Sequence, residues 1–413
     1  MKRLLGKYYI LISGSRYVLY INVSDRLYSF IILLLLAREF SSDQYGEIVT
    51  LITFAMIVQI FFDLGLPAFL QREIASGAES ESELFSISFI FTLVLLPFYI
   101  GISYLLKILI YPEIETTLFL IIFFFIYESS IVNVCNKALS GINDFRSQLS
   151  AFLISRIYIL LMFITGLYIL RFSVEQLMLV ILSGFFLNLI LIFRSLNSNS
   201  INLKFSEFSI KKIKPLLKAA IPLGLAVIFN FLYDKIDLML ISKLKDFDQA
   251  AYYNIGYGLY KSATIGFSFL LVAGFTQVAS LGRNKDAVKE FFNDHAKAIL
   301  IICTITGIIL FVLSDVIVSL LYTGRYADAS IVIKILSAGF IGLGLNNLTG
   351  ITLNGMGFFK VVMYITLYGL IINVILNFFF IPLYGIVAAS IISVVTEYFI
   401  FFVQYYYLRK ILS

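Results

Sequence analysis

The feature that most constrains this chain is the return, from one end to the other, of apolar windows about 20 residues long. That is the length of helix that crosses ~30 Å of hydrocarbon at ~1.5 Å per residue. Twelve such windows occur, at approximately 17–37, 47–70, 85–109, 117–140, 149–170, 174–194, 216–241, 251–280, 298–321, 331–354, 360–381 and 386–407. With 60% of the 413 residues apolar and only 14% charged, an ordinary water-soluble domain is excluded. The expectation is an all-α integral membrane protein of twelve transmembrane helices.

Lysine and arginine accumulate on the cytoplasmic side of membrane proteins, whereas acidic residues matter little. With the N-terminus inside, nineteen of the 31 basic residues fall on the cytoplasmic side, among them Lys2, Arg3, Lys7, Arg16, Arg146, Arg194, Lys211, Lys212, Lys214 and Arg283. Six fall outside: Arg38, Lys107, Arg171, Lys243, Lys245 and Arg325; the last six lie within spans. Both termini are therefore expected in the cytoplasm. The net charge of +6 follows from this bias and from anionic headgroups, so it gives no support to nucleic-acid binding.

Cys135 and Cys303 fall within spans and read as small buried side chains rather than a disulfide or metal site. No cofactor or metal is expected. The N-terminal stretch MKRLLGKYYILISGSRY is interrupted by Ser13, Ser15 and Arg16 and has no small-residue cleavage pattern, so it reads as retained, at the interface. No phosphate-binding G-x-x-x-x-G-K-[ST] loop is present, so any pumping must draw on an ion gradient.

The longest cytoplasmic connection, 196–215, is rich in Ser, Asn and Lys and divides the chain into two six-helix lobes, 1–205 and 206–413. Within it Ile210, Ile213, Leu216 and Leu217 share one helical face opposite Lys211, Lys212 and Lys214, the pattern of an amphipathic helix lying on the inner leaflet. The halves echo one another. A shift of 208 lays Asn22, Asp25, Arg26 and Ser29 over Asn230, Tyr233, Asp234 and Asp237, and Tyr45 over Tyr253; a shift of 214 lays Asn133, Leu139, Gly141 and Phe145 over Asn347, Leu353, Gly355 and Phe359. Six is even, so the units are parallel repeats, and transporters commonly bind substrate between such repeats. The expected architecture is two six-helix lobes around a central cavity.

In INVSDRLYSFIILLLLAREF (21–40), Asp25 and Arg26 precede an apolar run of only eleven residues. Eleven residues make about 16 Å of helix, too little to cross the hydrocarbon. The span must reach back to about Tyr17, which puts both charges near the midplane, where each costs at least ~2.5–3.5 kcal/mol and must face protein or water. Asn22, Asp25, Arg26 and Ser29 share one face by i, i+3, i+4, i+7 spacing. The same spacing returns as Asn133, Asn136, Lys137 and Ser140, as Asn230, Tyr233, Asp234 and Asp237, and as Tyr257, Tyr260, Lys261 and Thr264, with Ser390, Ser393 and Glu397 on the last span. Each stripe alone could pack on a neighbour through interhelical hydrogen bonds. Five together read as the walls of one wet cavity.

The cations Arg26 and Lys261 lie deepest, Lys137 lies nearer the cytoplasmic end, and Lys235 points away from its stripe. Arginine's planar fork and lysine's point charge suit phosphate oxygens; the rival reading pairs Arg26 with a carboxylate. Glu128, Asp234, Asp237 and Glu397 are either structural ion-pair partners or groups that couple transport to Na+ or H+. Pro222 and Gly224 mark either a hinge or the first turn of span seven. An integral membrane glycan polymerase would need a sizeable external catalytic segment, and every external connection is about a dozen residues or fewer, which favours transport over catalysis.

The stretches AREFSSDQYGE, FFDLGLP, IPLGLAVIFNFLYDKIDLML, LLYTGRYADAS and IPLYGIVAASIISVVTE together resemble polysaccharide repeat-unit flippases, the Wzx-type O-antigen translocases of the multidrug/oligosaccharidyl-lipid/polysaccharide exporter superfamily. One departure is Phe40-Ser41, where such proteins usually have Leu-Gly; the loop length is kept. The resemblance runs through nearly the whole chain. It implies a non-enzymatic flippase of the bacterial cytoplasmic membrane that moves an undecaprenyl-pyrophosphate-linked oligosaccharide outward by alternating access, with membrane lipids and polysaccharide polymerase machinery as partners. Multidrug antiporters of the same superfamily also have twelve helices and remain the alternative, although basic residues in the cavity would repel their cationic cargo.

Overall fold

The computed structural model describes residues 2–77, 80–282, 284–322 and 324–413, with side chains from Arg16 onward except at 210, 223, 269, 270, 272, 273 and 276. The side chains of Lys2, Arg3, Lys7, Ser13, Ser15, Ile210 and Arg283, singled out above, lie outside the described ones. The helices are α1 (Lys2–Glu39), α2 (Ser42–Asp63), α3 (Leu66–Ser76), α4 (Glu81–Ile110), α5 (Thr116–Gly141), α6 (Phe145–Thr165), α7 (Val174–Ser198), α8 (Ile210–Leu244), α9 (Phe247–Ala263), α10 (Ile265–Leu281), α11 (Lys285–Leu321), α12 (Ala329–Ser337), α13 (Phe340–Gly355) and α14 (Phe359–Leu412). No strand occurs among the described residues.

The fold is all-α with twelve spans. Eight helices are long and apolar enough to cross a bilayer, and two bent pairs, the halves of α8 and α12 with α13, each supply one more. Helix α14 would be about 80 Å long if straight, more than twice the hydrocarbon thickness. It is broken at Gly385 (φ 57°, ψ −135°) into two spans. The last span is α9 with α10, separated only by Thr264. The N-terminal stretch expected at the interface is continuous with span one as α1.

Breaks inside spans must have their backbone groups satisfied, because hydrocarbon offers no hydrogen bonds. At Gly385 a Cβ would collide with the Gln249 amide, whose Oε1 accepts the Ile386 N–H at 3.3 Å. Span two is broken at Leu64 and Gly65, both with positive φ (52° and 73°), where the Asp63 carboxylate accepts the Gly65 N–H at 3.1 Å. Span ten bends by 56° between α12 and α13, and α8 bends by 51° at the Pro222–Gly224 segment.

The chain packs as two compact units. The first comprises Met1–Leu35 with Phe54–Ile228, the second Leu36–Thr53 with Phe229–Ser413. In the first unit the linker is strapped to α4: Ser82 Oγ donates to the Ser200 carbonyl (3.1 Å) and accepts from Asn202 N–H (3.1 Å), while Ser86 Oγ accepts from Lys204 N–H (2.9 Å). The segment expected to lie on the leaflet instead turns its apolar face inward. Ile213 is buried with Leu66 and Ile87, with Leu216 and Leu217 beside them, and Lys212 pairs with Glu83 (2.7 Å) and Glu207 (3.0 Å). Its amphipathicity therefore serves packing on protein, which the helical period alone does not distinguish from packing on lipid.

Helix association in lipid relies on close packing rather than on expulsion of water, and the repeat is visible in that packing. A Cβ on Gly141 would stand 2.6 Å from the Ile74 side chain of α3, and one on Gly355 2.8 Å from Val278 of α10. The two glycines that coincide under the 214-residue shift thus admit the equivalent helix in each unit. Cys135 and Cys303 are buried free thiols. In the second unit, Arg38 donates to the carbonyls of Leu321 (2.7 Å) and Leu320 (3.2 Å), while Arg325 donates to those of Phe40 (3.1 Å) and Arg38 (3.0 Å). Each arginine satisfies carbonyls left over at the C-terminal end of the other's neighbouring helix.

At the α8 bend, a Cβ on Gly224 would lie 2.8 Å from the Gly65 nitrogen and the Leu64 carbonyl carbon. Gly224→Ala is expected to destabilise the detergent-solubilised protein by about 1–3 kcal/mol through overpacking, read as a lower thermal midpoint. Gly101→Ala, which meets nothing within 4 Å, serves as the neutral comparison.

Candidate functional site

In the second unit, α8 and α9 bring four predicted residues together. Lys261 Nζ lies 2.8 Å from an Asp234 carboxylate oxygen, to which Tyr257 OH also donates at 2.6 Å; Lys235 approaches the other oxygen at 3.3 Å. The ammonium also sits 5.3 Å from the Tyr257 ring centroid. Lys261 is thus an ion-paired cation rather than an unpaired one, and Lys235, which points off the stripe, shares its partner. The pair is not sealed: the side chains of Lys261 and Asp234 remain 34% and 29% exposed. Lys261 lines a cavity of about 380 Å³ between α9, α10 and α13, with Thr264, Ser268 and Asn347 giving it polar walls and Phe267 and Leu343 among its apolar ones.

One turn along α8, Asp237 is buried in a network that draws on α8, α9 and both halves of α14. Its carboxylate accepts from Asn377 Nδ2 (2.8 Å), Ser393 Oγ (2.7 Å) and Tyr253 OH (2.9 Å), and Asn377 Nδ2 also donates to Asn373 Oδ1 (3.0 Å). Asn377 Oδ1 is buried without a hydrogen-bond partner. Glu397 accepts from Asn346 Nδ2 at 2.7 Å, and Tyr233 shares a hydrogen with Thr396 at 3.0 Å. Asp237, Glu397, Tyr233, Tyr257, Asn373 and Ser393 face a cavity of about 10 Å³, the room needed for about one water-sized occupant. Among the described residues no group of three His, Cys, Asp or Glu side chains could hold a metal ion. The Asp237 cluster offers a single carboxylate with amide and hydroxyl oxygens, a donor set suited to a hard monovalent cation or a proton.

The first unit treats its ionisable residues differently. Asn22, Asp25, Arg26 and Ser29 are exposed on α1, and Arg26 forms no ion pair or hydrogen bond among the described residues, so the rival reading, pairing of Arg26 with a carboxylate, is not seen there. Lys137 donates to Gln71 Oε1 at 3.2 Å. Asn133 and Asn136 are half-buried, and Gln148 Nε2 donates to the Asn136 carbonyl (2.8 Å) and to Ser140 Oγ (2.9 Å), so part of that stripe packs on α6. Glu128 is buried with both carboxylate oxygens unpartnered. Asn230 is exposed on α8.

Sequence reasoning missed Arg156, which is buried with its guanidinium against the rings of Phe185 (4.2 Å), Tyr28 (4.8 Å) and Phe152 (4.9 Å). Aromatic faces accept a cation without any polar signature in the sequence. It also missed Asn373 and Asn377, whose i, i+4 spacing in an otherwise apolar span was the available signal.

A family model described as polysaccharide biosynthesis protein matches residues 11–275, and one described as MatE matches 222–379. The chain belongs to the polysaccharide biosynthesis protein family. Among its relatives is the uncharacterized membrane protein MJ1375 of Methanocaldococcus jannaschii, 22% identical over 97% of this chain and 98% of that one. Two solved structures share the fold. An inward-facing multidrug resistance MATE family transporter of the MOP superfamily has a TM-score of 0.80 at 14% identity, covering 94% of each chain. The lipid II flippase MurJ in an inward closed conformation has a TM-score of 0.72 at 15% identity, covering 96% of this chain and 87% of that one. The chain is a multi-pass membrane protein that shares the fold of these two proteins.

Breaking the Asp234–Lys261 pair from one side leaves an uncompensated charge on a membrane helix. Asp234→Asn and Lys261→Met should each lower the thermal midpoint, and the double variant should recover part of the loss, a coupling of roughly 0.5–3 kcal/mol. Strict additivity in the double-mutant cycle would mean that the pair contributes nothing.

Proposed function

We propose that the protein carries an undecaprenyl-pyrophosphate-linked oligosaccharide from the cytoplasmic to the outer leaflet of a bacterial cytoplasmic membrane by alternating access. The observation that carries this reading is Lys261 lining a cavity of about 380 Å³ with hydroxyl and amide walls, in a chain of the polysaccharide biosynthesis family. The physical difficulty in such a reaction is the sugar pyrophosphate, since a polyprenyl tail can stay in lipid throughout. A cationic, polar cavity lowers that barrier by replacing water around the phosphates and hydroxyls.

In this scheme an arriving phosphate competes with Asp234 for Lys261, so the carboxylate holds the ammonium in place until cargo replaces it. Arg26, without an ion-pair partner among the described residues, supplies a bidentate fork, and Lys137 a further charge. Lys235 contributes through Asp234. Asn22, Asp25, Asn133, Asn136, Asn230 and Tyr257 offer hydrogen bonds to sugar. The Asp237 cluster is the coupling group for Na+ or H+: the unpartnered Asn377 Oδ1 is an acceptor waiting for a positive charge. Glu397 and Glu128 are secondary candidates. Polysaccharide polymerase machinery would receive the product.

The MatE match over 222–379 favours a second reading, export of small organic ions. Lys261 in the cavity argues against cationic cargo, and an anionic drug would meet the same groups as the pyrophosphate.

Arg26→Ala is expected to abolish surface polysaccharide in the native host while leaving protein abundance within about twofold of wild type, since Arg26 is exposed and the change creates no core cavity; Lys261→Ala should abolish it too, together with the loss of stability expected from breaking its pair with Asp234. Unchanged export in both variants would dismiss the flippase assignment. For coupling, sodium chloride should raise the thermal midpoint of the purified protein over choline chloride, because a ligand bound only by the folded state stabilises it. Asp237→Asn should erase that difference; an equal response in both proteins removes Asp237 from the coupling role.

A further inference from the structure

We propose that the cleft between the start of α6 and the end of α7 is a binding site for an anionic phospholipid of the bilayer, separate from the transport site. The cleft has a volume of about 430 Å³ and brings Arg146 and Arg194 together with Ser147, Ser150 and Ser195, and with Ala151, Ile154 and Leu191 deeper along the helices. Both arginines are exposed, and neither guanidinium has a hydrogen-bond or ion-pair partner among the described residues. Two unpaired cations facing one cleft repel each other, which an anion between them would reverse.

The acidic residue at this end of α6 is already engaged. Asp144 caps the helix, one oxygen accepting from Ser147 N–H (3.1 Å) and the other from Asn199 Nδ2 (2.9 Å). The serine hydroxyls of Ser150 and Ser195 donate to their own helices at Arg146 and Leu191, which leaves the arginines as the donors for an incoming anion. Two guanidinium forks around a phosphodiester give charge-assisted bonds of the strongest kind available to side chains.

The order of residues along the cleft selects an amphiphile over a free anion. Arg146, Ser147 and Ser150 stand at the loop end of α6, and Ile154, eight residues on, lies about 12 Å deeper and is 51% exposed. On α7, Leu191 lies one turn deeper than Arg194. The walls therefore run from cationic to apolar in the direction that a headgroup and its acyl chain run into a membrane. Basic clefts between transmembrane helices at the cytoplasmic edge are a recurring form of anionic-lipid site, and the charge bias of the sequence puts both arginines on that side.

Native mass spectrometry of the full-length protein in detergent, titrated with phosphatidylglycerol and with phosphatidylcholine, tests this. Wild type should retain phosphatidylglycerol at least about tenfold better, and the double variant Arg146→Gln with Arg194→Gln should lose that preference. Ser150→Glu, a change at an exposed position that introduces a carboxylate among the forks, should lose it too with the fold intact by thermal midpoint. Equal retention of the two lipids, or an undiminished preference in the variants, overturns the proposal. So does displacement of the lipid by soluble glycerol phosphate, which would mark a free-anion site, or its displacement by a polyprenyl pyrophosphate at lower concentration, which would assign the cleft to the cargo.

Discussion

An ionisable side chain on a membrane-spanning helix needs a counter-charge, an aromatic face, or a way to water, and the arrangement of polar residues in this protein follows from that need. The second unit answers with partners. Asp234 gathers Lys261, Lys235 and Tyr257, and Asp237 gathers an amide and two hydroxyls from α9 and the two halves of α14. The first unit leaves its groups less provided for. Arg156 rests on three rings, Glu128 has both oxygens without a partner, and Arg26 stands exposed. The second unit is thus preorganised around its acids, while the first holds groups whose charge awaits something else.

The number of spans was legible because crossing hydrocarbon imposes a length that no tertiary context can override. The breaks within spans were less so. Pro222 and Gly224 announced the bend in α8, but Leu64 adopts a left-handed conformation for which leucine gives no warning, and the Gly385 break depends on a side chain, Gln249, from more than a hundred residues away. Stripe spacing found Asp234, Tyr257 and Lys261 because all three sit at helical period. It could not say that Lys261 would be paired, since the 26 residues between it and Asp234 include a turn whose geometry decides the matter. The amphipathic segment around Ile213, Leu216 and Leu217 misled for a related reason: the same apolar face can lie on lipid or on Leu66 and Ile87.

Family membership and fold narrow the chemistry without choosing the cargo. The fold is shared with a multidrug transporter and a lipid II flippase, so under the proposed function the discrimination falls to the sign of charge in the cavity. Here that charge is a lysine already balanced by a carboxylate. Such a pair penalises a passing cation or neutral molecule less than a bare ammonium would, and rewards an anion only when it can outcompete Asp234. Under the proposed function, selectivity is a matter of exchange between partners rather than of simple attraction.

The two compact units do not coincide with the two repeats. The second unit takes Leu36–Thr53 from the first half of the chain, fastened by the reciprocal arginines Arg38 and Arg325, and the first unit takes the start of α8 from the second half. The polypeptide is therefore cross-threaded. A cut at the linker would leave both compact units incomplete, because Leu36–Thr53 and the start of α8 each lie on the far side of it from the unit they pack in.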